Sequence, residues 1–237
     1  MARTKKERIC ITGAGGRLGT LLSRALAKDY AVTGLGRRRV PRRVTVEADI
    51  SRAGDLRGAF AGQDAIVHLA AYPFADDDWQ RILPANIVGT YNVLEAVRRD
   101  GVRRFVMASS LSVLGGHLDS FLAWHRKRRR RSGREKVQFL SSLEFPRPDS
   151  VYGASKVFGE ALCRTYADRF GVSCVCLRLA EVRPDDRPRA EDPLGHLKMC
   201  RHADFVAGVR RALQRTRRRG LFETAILISD DFPASDG

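Results

Sequence analysis

Apolar and polar positions change period along this chain in a repeating order. Arg8-Ile9-Cys10-Ile11 is a short apolar run, and Leu21, Leu22, Ala25 and Leu26 then recur at helical spacing. Ala31 to Leu35 is a second apolar stretch and Val44 to Glu47 a third, ending at Ala48-Asp49-Ile50. Asp55 to Phe60 reads as a short helical segment. Ala65 to Ala71 is a buried strand that runs into a small-residue loop. Trp79 to Arg99 is mostly helical, with Pro84 near the start of its main segment, and Arg104 to Ser110 is the next strand. Ser150 caps a helix reaching about Phe170, and Val172 to Leu179 is a β-rich buried run. Ala203 to Gln214 follows as a helix with Phe205, Val206, Val209 and Leu213 inward, and Thr224 to Ser229 as a last strand. Strands alternating with helices predict one α/β domain over residues 1–237, a doubly wound parallel sheet with helices on both faces. Ligands of such sheets sit at the carboxyl ends of the strands.

The first of those ends carries Thr12-Gly13-Ala14-Gly15-Gly16-Arg17-Leu18-Gly19. Glycines let the backbone approach a pyrophosphate, and the helix N-terminus offers N–H groups and positive dipole to it. The spacing is Gly13-x-x-Gly16-x-x-Gly19 rather than G-x-G-x-x-G, since Leu18 occupies the last position of that register. An ordinary turn capping a buried helix is the competing account of the glycines alone. The second strand ends near Gly36, followed by Arg37-Arg38-Arg39. A carboxylate there would bond a ribose 2′-hydroxyl; its absence, with guanidiniums beside it, points to NADP, with NAD as the alternative.

Charge changes the picture only in part. The net charge is +16, gathered in Arg37 to Arg39, Arg42 and Arg43, Arg126 to Arg131 and Arg215 to Arg219. Such charge favours polyanions nonspecifically, but no zinc finger, RNA-binding aromatic signature or helix-turn-helix pattern accompanies it. His125 to Arg134 reads as an exposed loop, because a run of like charges cannot be buried. The five cysteines contain no CxxC pair and suggest reduced, partly buried thiols rather than a metal site. No run is long and apolar enough to span a bilayer, and Met1 to Lys6 lacks the apolar core of a signal peptide, so a cytoplasmic protein is expected.

The chemistry centres on Tyr152 and Lys156, four residues apart and so on one helix face. A free phenol is a poor base at neutral pH. A neighbouring ammonium is expected to lower its pKa, and a nearby serine hydroxyl can hold a substrate oxygen.

The ordered set Thr12 to Gly19, Ala48-Asp49-Ile50, His68-Leu69-Ala70-Ala71, Asn86 to Thr90, Ala108-Ser109-Ser110 and Tyr152-Gly153-Ala154-Ser155-Lys156 resembles the extended, epimerase/dehydratase-like branch of the short-chain dehydrogenase/reductase superfamily. Within it, the chain is similar to uronate-dehydrogenase-like bacterial proteins. The resemblance implies a Rossmann-type sheet with a short substrate-side region over 180–237. It also implies roles. Gly13, Gly16 and Gly19, with Arg17 and Leu18, would form the pyrophosphate turn, and Arg37 would reach the 2′-phosphate. Asp49 and Ile50 would contact adenine, and Leu69, Ala70 and Ala71 the cofactor ribose side. Asn86 is grouped with the cofactor site, on the helix supporting it. Ser110, with Ser112 as fallback, would bind the substrate oxygen, Tyr152 would be the general acid/base, and Lys156 would hold the nicotinamide ribose. A homodimer through the helices carrying Asn86 and Tyr152 is expected. Where the resembled proteins carry an Asn-His pair this chain has Leu111-Ser112, their substrate-carboxylate arginine is replaced near Leu194, and the arginine-rich loop before Tyr152 looks inserted. The implied activity is hydride transfer at a secondary alcohol or carbonyl of a small, sugar-derived molecule. The alternatives are an epimerase or dehydratase that retains its cofactor, and a nucleotide-sensing or nucleic-acid-associated protein.

Overall fold

A computed structural model describes residues 6–41, 45–74, 77–117, 145–187 and 199–229. Arg42, Arg43, the run His125 to Arg134 and the Leu194 position lie outside the described residues.

Seven strands form one sheet: β1 (Arg8–Thr12), β2 (Ala31–Gly36), β3 (Val46–Glu47), β4 (Ala65–His68), β5 (Arg104–Ser110), β6 (Ser173–Leu179) and β7 (Phe222–Leu227). Their order is β3-β2-β1-β4-β5-β6-β7, and every pairing is parallel. Parallel strands need crossovers on the faces, so both faces are covered. That is why β1 and β6 read as near-continuous apolar runs rather than alternating ones. Alternate side chains separate into two cores. Ile9, Ile11, Val175 and Leu177 face helices α1 (Arg17–Leu26) and the later His202–Arg215 helix through Leu22, Leu26, Phe205 and Val209. Cys10, Ile66, Phe105, Cys174 and Cys176 face the opposite helices through Val93, Val97, Cys163 and Tyr166.

β1 pairs with β2 on one side and β4 on the other. The chain order reverses there, which opens a crevice beyond the carboxyl ends of β1 and β4.

The stretch Trp79 to Arg99 is more divided than its pattern predicts. Helix α2 (Trp79–Ile82) passes through a π segment, Leu83–Val88, into α3 (Gly89–Arg99). Pro84 has no N–H to donate, and the wider turn closes with Gly89 donating to the Pro84 carbonyl five residues back. Helix α4 (Val151–Phe170) begins as expected. The Ser150 hydroxyl accepts from the Gly153 N–H at 3.0 Å, and Gly171 ends the helix in the left-handed region at φ 65°. Helix α5 (His202–Arg215) and β7 complete the sheet. The third strand is shorter than expected, at Val46–Glu47, and the predicted Asp55 to Phe60 helix is a single 3-10 turn at Ala53–Leu56. The last strand starts two residues earlier than its pattern suggests.

Candidate functional site

The turn after β1 is shaped by close approach. Gly13 has φ +71°, and a Cβ there would sit 2.8 Å from the Ala70 nitrogen. Gly19 lies against the same turn, since its Cβ would fall 2.3 Å from the Gly13 carbonyl oxygen. Gly16 caps α1 with no side chain of its own, so the first N–H groups of that helix have no side-chain cap to satisfy them. Arg17 is exposed and Leu18 half-buried at the helix start. Side chains at Gly13 and Gly19 would collide with backbone, so the turn stays bare and the N–H groups at the helix N-terminus are accessible to an anion.

The wall opposite is the loop Leu69, Ala70, Ala71. Its position is set by a buried chain of hydrogen bonds. The Ala70 N–H donates to Thr12 Oγ1 at 3.2 Å, and Thr12 Oγ1 meets His68 Nδ1 at 2.8 Å. The other ring nitrogen, Nε2, faces Thr90 Oγ1 at 3.4 Å, so the imidazole is held between two threonine hydroxyls. His68 also stacks on Phe105, with centroids 5.7 Å apart. Burial first, then the nearby Lys156 charge, push its pKa down to about 3, so the imidazole is neutral.

Asn86 holds the next stretch. Its Oδ1 accepts from the Tyr72 N–H at 2.7 Å, while Nδ2 donates to the Tyr72 carbonyl at 3.2 Å and to Ser155 Oγ at 3.0 Å. Both ends of the carboxamide are thus engaged inside the protein. Asn86 is a brace between the β4 loop and α4.

Just beyond β3, Asp49 Oδ1 accepts from the Ser51 N–H and hydroxyl at 2.9 and 2.8 Å. Burial works to raise the Asp49 carboxyl, but the Ser51 hydrogen bonds and the Arg37 and Arg52 guanidiniums outweigh it and hold the pKa below the usual range. Asp49 and Arg37, distant in sequence, are therefore neighbours. The Ile50 side chain packs where a Gly89 Cβ would stand, 2.6 Å away, and its carbonyl accepts from Asn92 Nδ2 at 2.9 Å.

The chemical end is built from β5 and α4. The Ser110 hydroxyl lies near the Tyr152 phenol, where it acts to lower the phenol's pKa, and accepts from the Ser112 N–H at 3.1 Å. Lys156 Nζ donates to the Ala108 carbonyl at 3.0 Å and stands 5.6 Å from the Tyr152 ring centroid. Ser110, Tyr152 and Lys156 are thus brought together, as their order in the sequence implied. One expectation is corrected. The Tyr152 pKa is raised, because burial disfavours the phenolate more than the nearby Ser110 hydroxyl favours it. Lys156 is itself buried and pushed down to about 8, against opposing contributions from Cys176 and Glu160.

Two features escaped the sequence pattern. Arg178 lies in the fully buried β6 and pairs with Glu160. An arginine inside an apolar strand demands such a partner, and Glu160, one turn beyond Lys156, was the available signal. The second is the Thr12–His68–Thr90 chain. All five cysteines are free and buried. Among the described residues no group of three or more His, Cys, Asp or Glu is placed to hold a metal ion, and no helix is long and apolar enough to cross a membrane. A cavity of about 220 Å³ beside α3, lined by Leu56, Tyr91, Asn92 and Glu95, shares no residue with Ser110, Tyr152 or Lys156.

A model of the NAD dependent epimerase/dehydratase family matches residues 9–191. The chain is 37% identical over 182 residues to the L-arabinose 1-dehydrogenase (NAD(P)(+)) of Haloferax volcanii, over 77% of this chain and 70% of that one. It is 32% identical over 184 residues to the uronate dehydrogenase of Agrobacterium fabrum, over 76% of this chain but only 63% of that protein's length. A solved uronate dehydrogenase from Agrobacterium tumefaciens, a mutant complexed with NAD, superposes with a TM-score of 0.74 at 27% identity, covering 94% of this chain and 77% of the other.

Proposed function

The chain belongs to the NAD dependent epimerase/dehydratase family, within the extended short-chain dehydrogenase/reductase superfamily, and from that membership we propose that it is an NAD(P)-dependent oxidoreductase acting on a secondary alcohol or carbonyl of a small, sugar-derived substrate. The observation that carries this is the convergence of Ser110, Tyr152 and Lys156 at the carboxyl end of β5, beside the crevice at the ends of β1 and β4.

The residues present fit a dinucleotide. The Gly13 turn leaves no room for a side chain against Ala70, and the α1 N-terminus is open. Gly13, Gly16 and Gly19, with Arg17 and Leu18, would hold the pyrophosphate. Asp49 and Ile50 would hold the adenine, and Leu69, Ala70 and Ala71 would line the ribose side. When bound, a nicotinamide supplies the hydride chemistry. Ser110 holds the substrate oxygen by its hydroxyl. Tyr152 gives a proton to that oxygen in reduction and takes it in oxidation. Its raised pKa suits the donor role at neutral pH. Lys156, anchored on the Ala108 carbonyl, is placed to reach the nicotinamide ribose and to favour the phenolate when it forms.

NADP is the preferred cofactor in this reading. β2 ends at Gly36 without a carboxylate, and the Arg37 guanidinium that follows is available to pair with a 2′-phosphate. A second copy of the chain is the proposed partner. Leu83, Val88 and Tyr91 from the Asn86 segment and Val151 beside Tyr152 are large apolar side chains exposed to water. Five buried unpaired thiols fit a reducing compartment, so the cytoplasm is the proposed setting.

The test is NADP- and NAD-linked oxidation of L-arabinose and of glucuronate by the wild type and Tyr152→Phe. Turnover that falls by about 100-fold or more in the variant supports the assignment. Unchanged turnover removes Tyr152 from the chemistry. Protein that purifies with bound nucleotide and turns over nothing without an internal hydride return would indicate the epimerase or dehydratase alternative.

A further inference from the structure

Tyr152, Lys156 and Glu160 stand one helical turn apart on α4. Each meets a group at the end of β5. Tyr152 meets the Ser110 hydroxyl, Lys156 the Ala108 carbonyl, and Glu160 Oε1 accepts from the Ser109 hydroxyl at 2.6 Å. The third contact is closed from β6. Arg178, the register partner of Ser109, donates to Glu160 from Nε at 3.0 Å and from Nη2 at 2.8 Å. Glu160 and Arg178 are only 5% and 3% exposed.

A buried ion pair is a poor way to hold a helix on a sheet. Desolvating two charges costs as much as their attraction returns, and apolar side chains of similar volume would hold the helix as well. What the pair adds is direction. Its forked geometry fixes both the height and the rotation of the helix, where apolar packing tolerates sliding. The stripe it fixes is the one that carries Tyr152 and Lys156.

We propose that Glu160 and Arg178, with Ser109, form a positioning unit that sets α4 against β5 so that Tyr152 and Lys156 meet Ser110 and Ala108; this rests on the oxidoreductase function proposed above. The unit also touches the charge of Lys156. The groups facing that ammonium are His68 from β4, Cys176 from β6, the Ala108 carbonyl from β5, and Tyr152 and Glu160 from its own helix. Burial lowers the Lys156 pKa, and the Glu160 charge works against that. Removing the carboxylate makes Lys156 lose its proton at a lower pH.

Glu160→Gln alone leaves a guanidinium buried without its anion and is expected to fold poorly. The informative variants are Glu160→Gln/Arg178→Met, which removes both charges at similar volume, and Ser109→Ala, which leaves the pair intact. The double variant is expected to melt cooperatively near the wild-type temperature and to keep its KM for NADPH. Its kcat falls on the order of 10- to 100-fold, the effect of a misplaced catalytic pair. The alkaline limb of its kcat profile moves to lower pH. The 15Nζ resonance of Lys156, assigned by its loss in Lys156→Arg, titrates at lower pH as well and needs no turnover to be read. Ser109→Ala is expected to lower kcat in weaker form while the retained Glu160 carboxylate leaves the Lys156 titration in place, and its kcat decides the matter if the double variant does not fold. A folded variant with wild-type kcat and an unchanged Lys156 titration overturns the positioning unit. A wild-type protein without NAD(P)-linked turnover overturns the oxidoreductase function instead, and the Nζ titration then decides the positioning unit alone.

Discussion

Asn86 and Ser155 lie 69 residues apart in sequence, yet Asn86 Nδ2 donates to Ser155 Oγ at 3.0 Å while its Oδ1 accepts from the Tyr72 N–H at 2.7 Å. Ser155 in turn donates to the Tyr152 carbonyl at 2.6 Å. One carboxamide therefore connects the cofactor-side loop after β4 to the helix turn that presents Tyr152. Asn86→Ala leaves the Tyr72 N–H without this acceptor, and denaturant titration should show a loss of about 1–3 kcal/mol. Because loop and helix lose their common tie, kcat is expected to fall further than the lost stability explains. A variant that loses stability but keeps kcat would make Asn86 a structural brace only.

His68 makes stability depend on pH with a definite sign. Its pKa is depressed from the ordinary 6.5 to about 3. Between those values the unfolded chain binds the proton and the folded chain does not. The contribution of the neutral imidazole is therefore fully present above pH 6.5 and is lost as pH falls through that window toward 3. His68→Asn, which retains an acceptor near the Nδ1 position for Thr12, should be less stable at pH 7 but show a flatter decline from pH 6.5 to 4. The urea midpoints of both proteins across that range make the measurement. Parallel declines would assign the acid sensitivity to other groups.

The two ends of the site were unequally legible in the sequence. Gly13, Gly16 and Gly19 mark a turn, and Tyr152 and Lys156 mark one helix face, because local spacing alone creates those relationships. The parallel sheet with helices on both faces follows from the alternation of apolar runs with helices. Asn86, His68, Glu160 and Arg178 carry no such mark. Their partners lie on other elements, and a buried polar side chain is understood only once its partner is known. The raised Tyr152 pKa was hidden for the same reason: spacing places Lys156 nearby, but only packing says how much water is excluded from the phenol. The π segment at Leu83–Val88 was likewise invisible, since Pro84 is compatible with a helix start, a kink or a wider turn.

Gly13→Ala is expected to harm cofactor binding more than folding. The added Cβ meets the Ala70 nitrogen at 2.8 Å and stands at φ +71°, which costs an L residue about 1–2 kcal/mol. The turn and the Ala70 loop must move apart, and that widens the cleft proposed above for the pyrophosphate. Thermal melting with and without NADPH separates the effects: a modest drop in the free protein, and little or no ligand-induced rise. A full ligand-induced rise would place the dinucleotide elsewhere.

The proposed preference for NADP rests on Arg37. That residue follows Gly36 at the end of β2 and lies close enough to Asp49 to help hold that carboxyl below its usual range, together with Arg52. A 2′-phosphate arriving here gains a charge-assisted bond of about 1.5–3 kcal/mol, equivalent to roughly 10- to 100-fold in affinity. Arg37→Ala should weaken NADPH by about that factor and leave NADH nearly unchanged, since NADH has no phosphate to lose. Added salt should narrow the difference between the cofactors in the wild type and have little effect on it in the variant, because exposed charges are screened. Fluorescence titration of both dinucleotides at low and near-physiological salt reads all four quantities. An equal loss for NADH and NADPH would reduce Arg37 to part of the general basic surface. A wild type that already prefers NADH would turn the absence of a carboxylate at Gly36 from a mark of NADP use into a feature with no bearing on the choice.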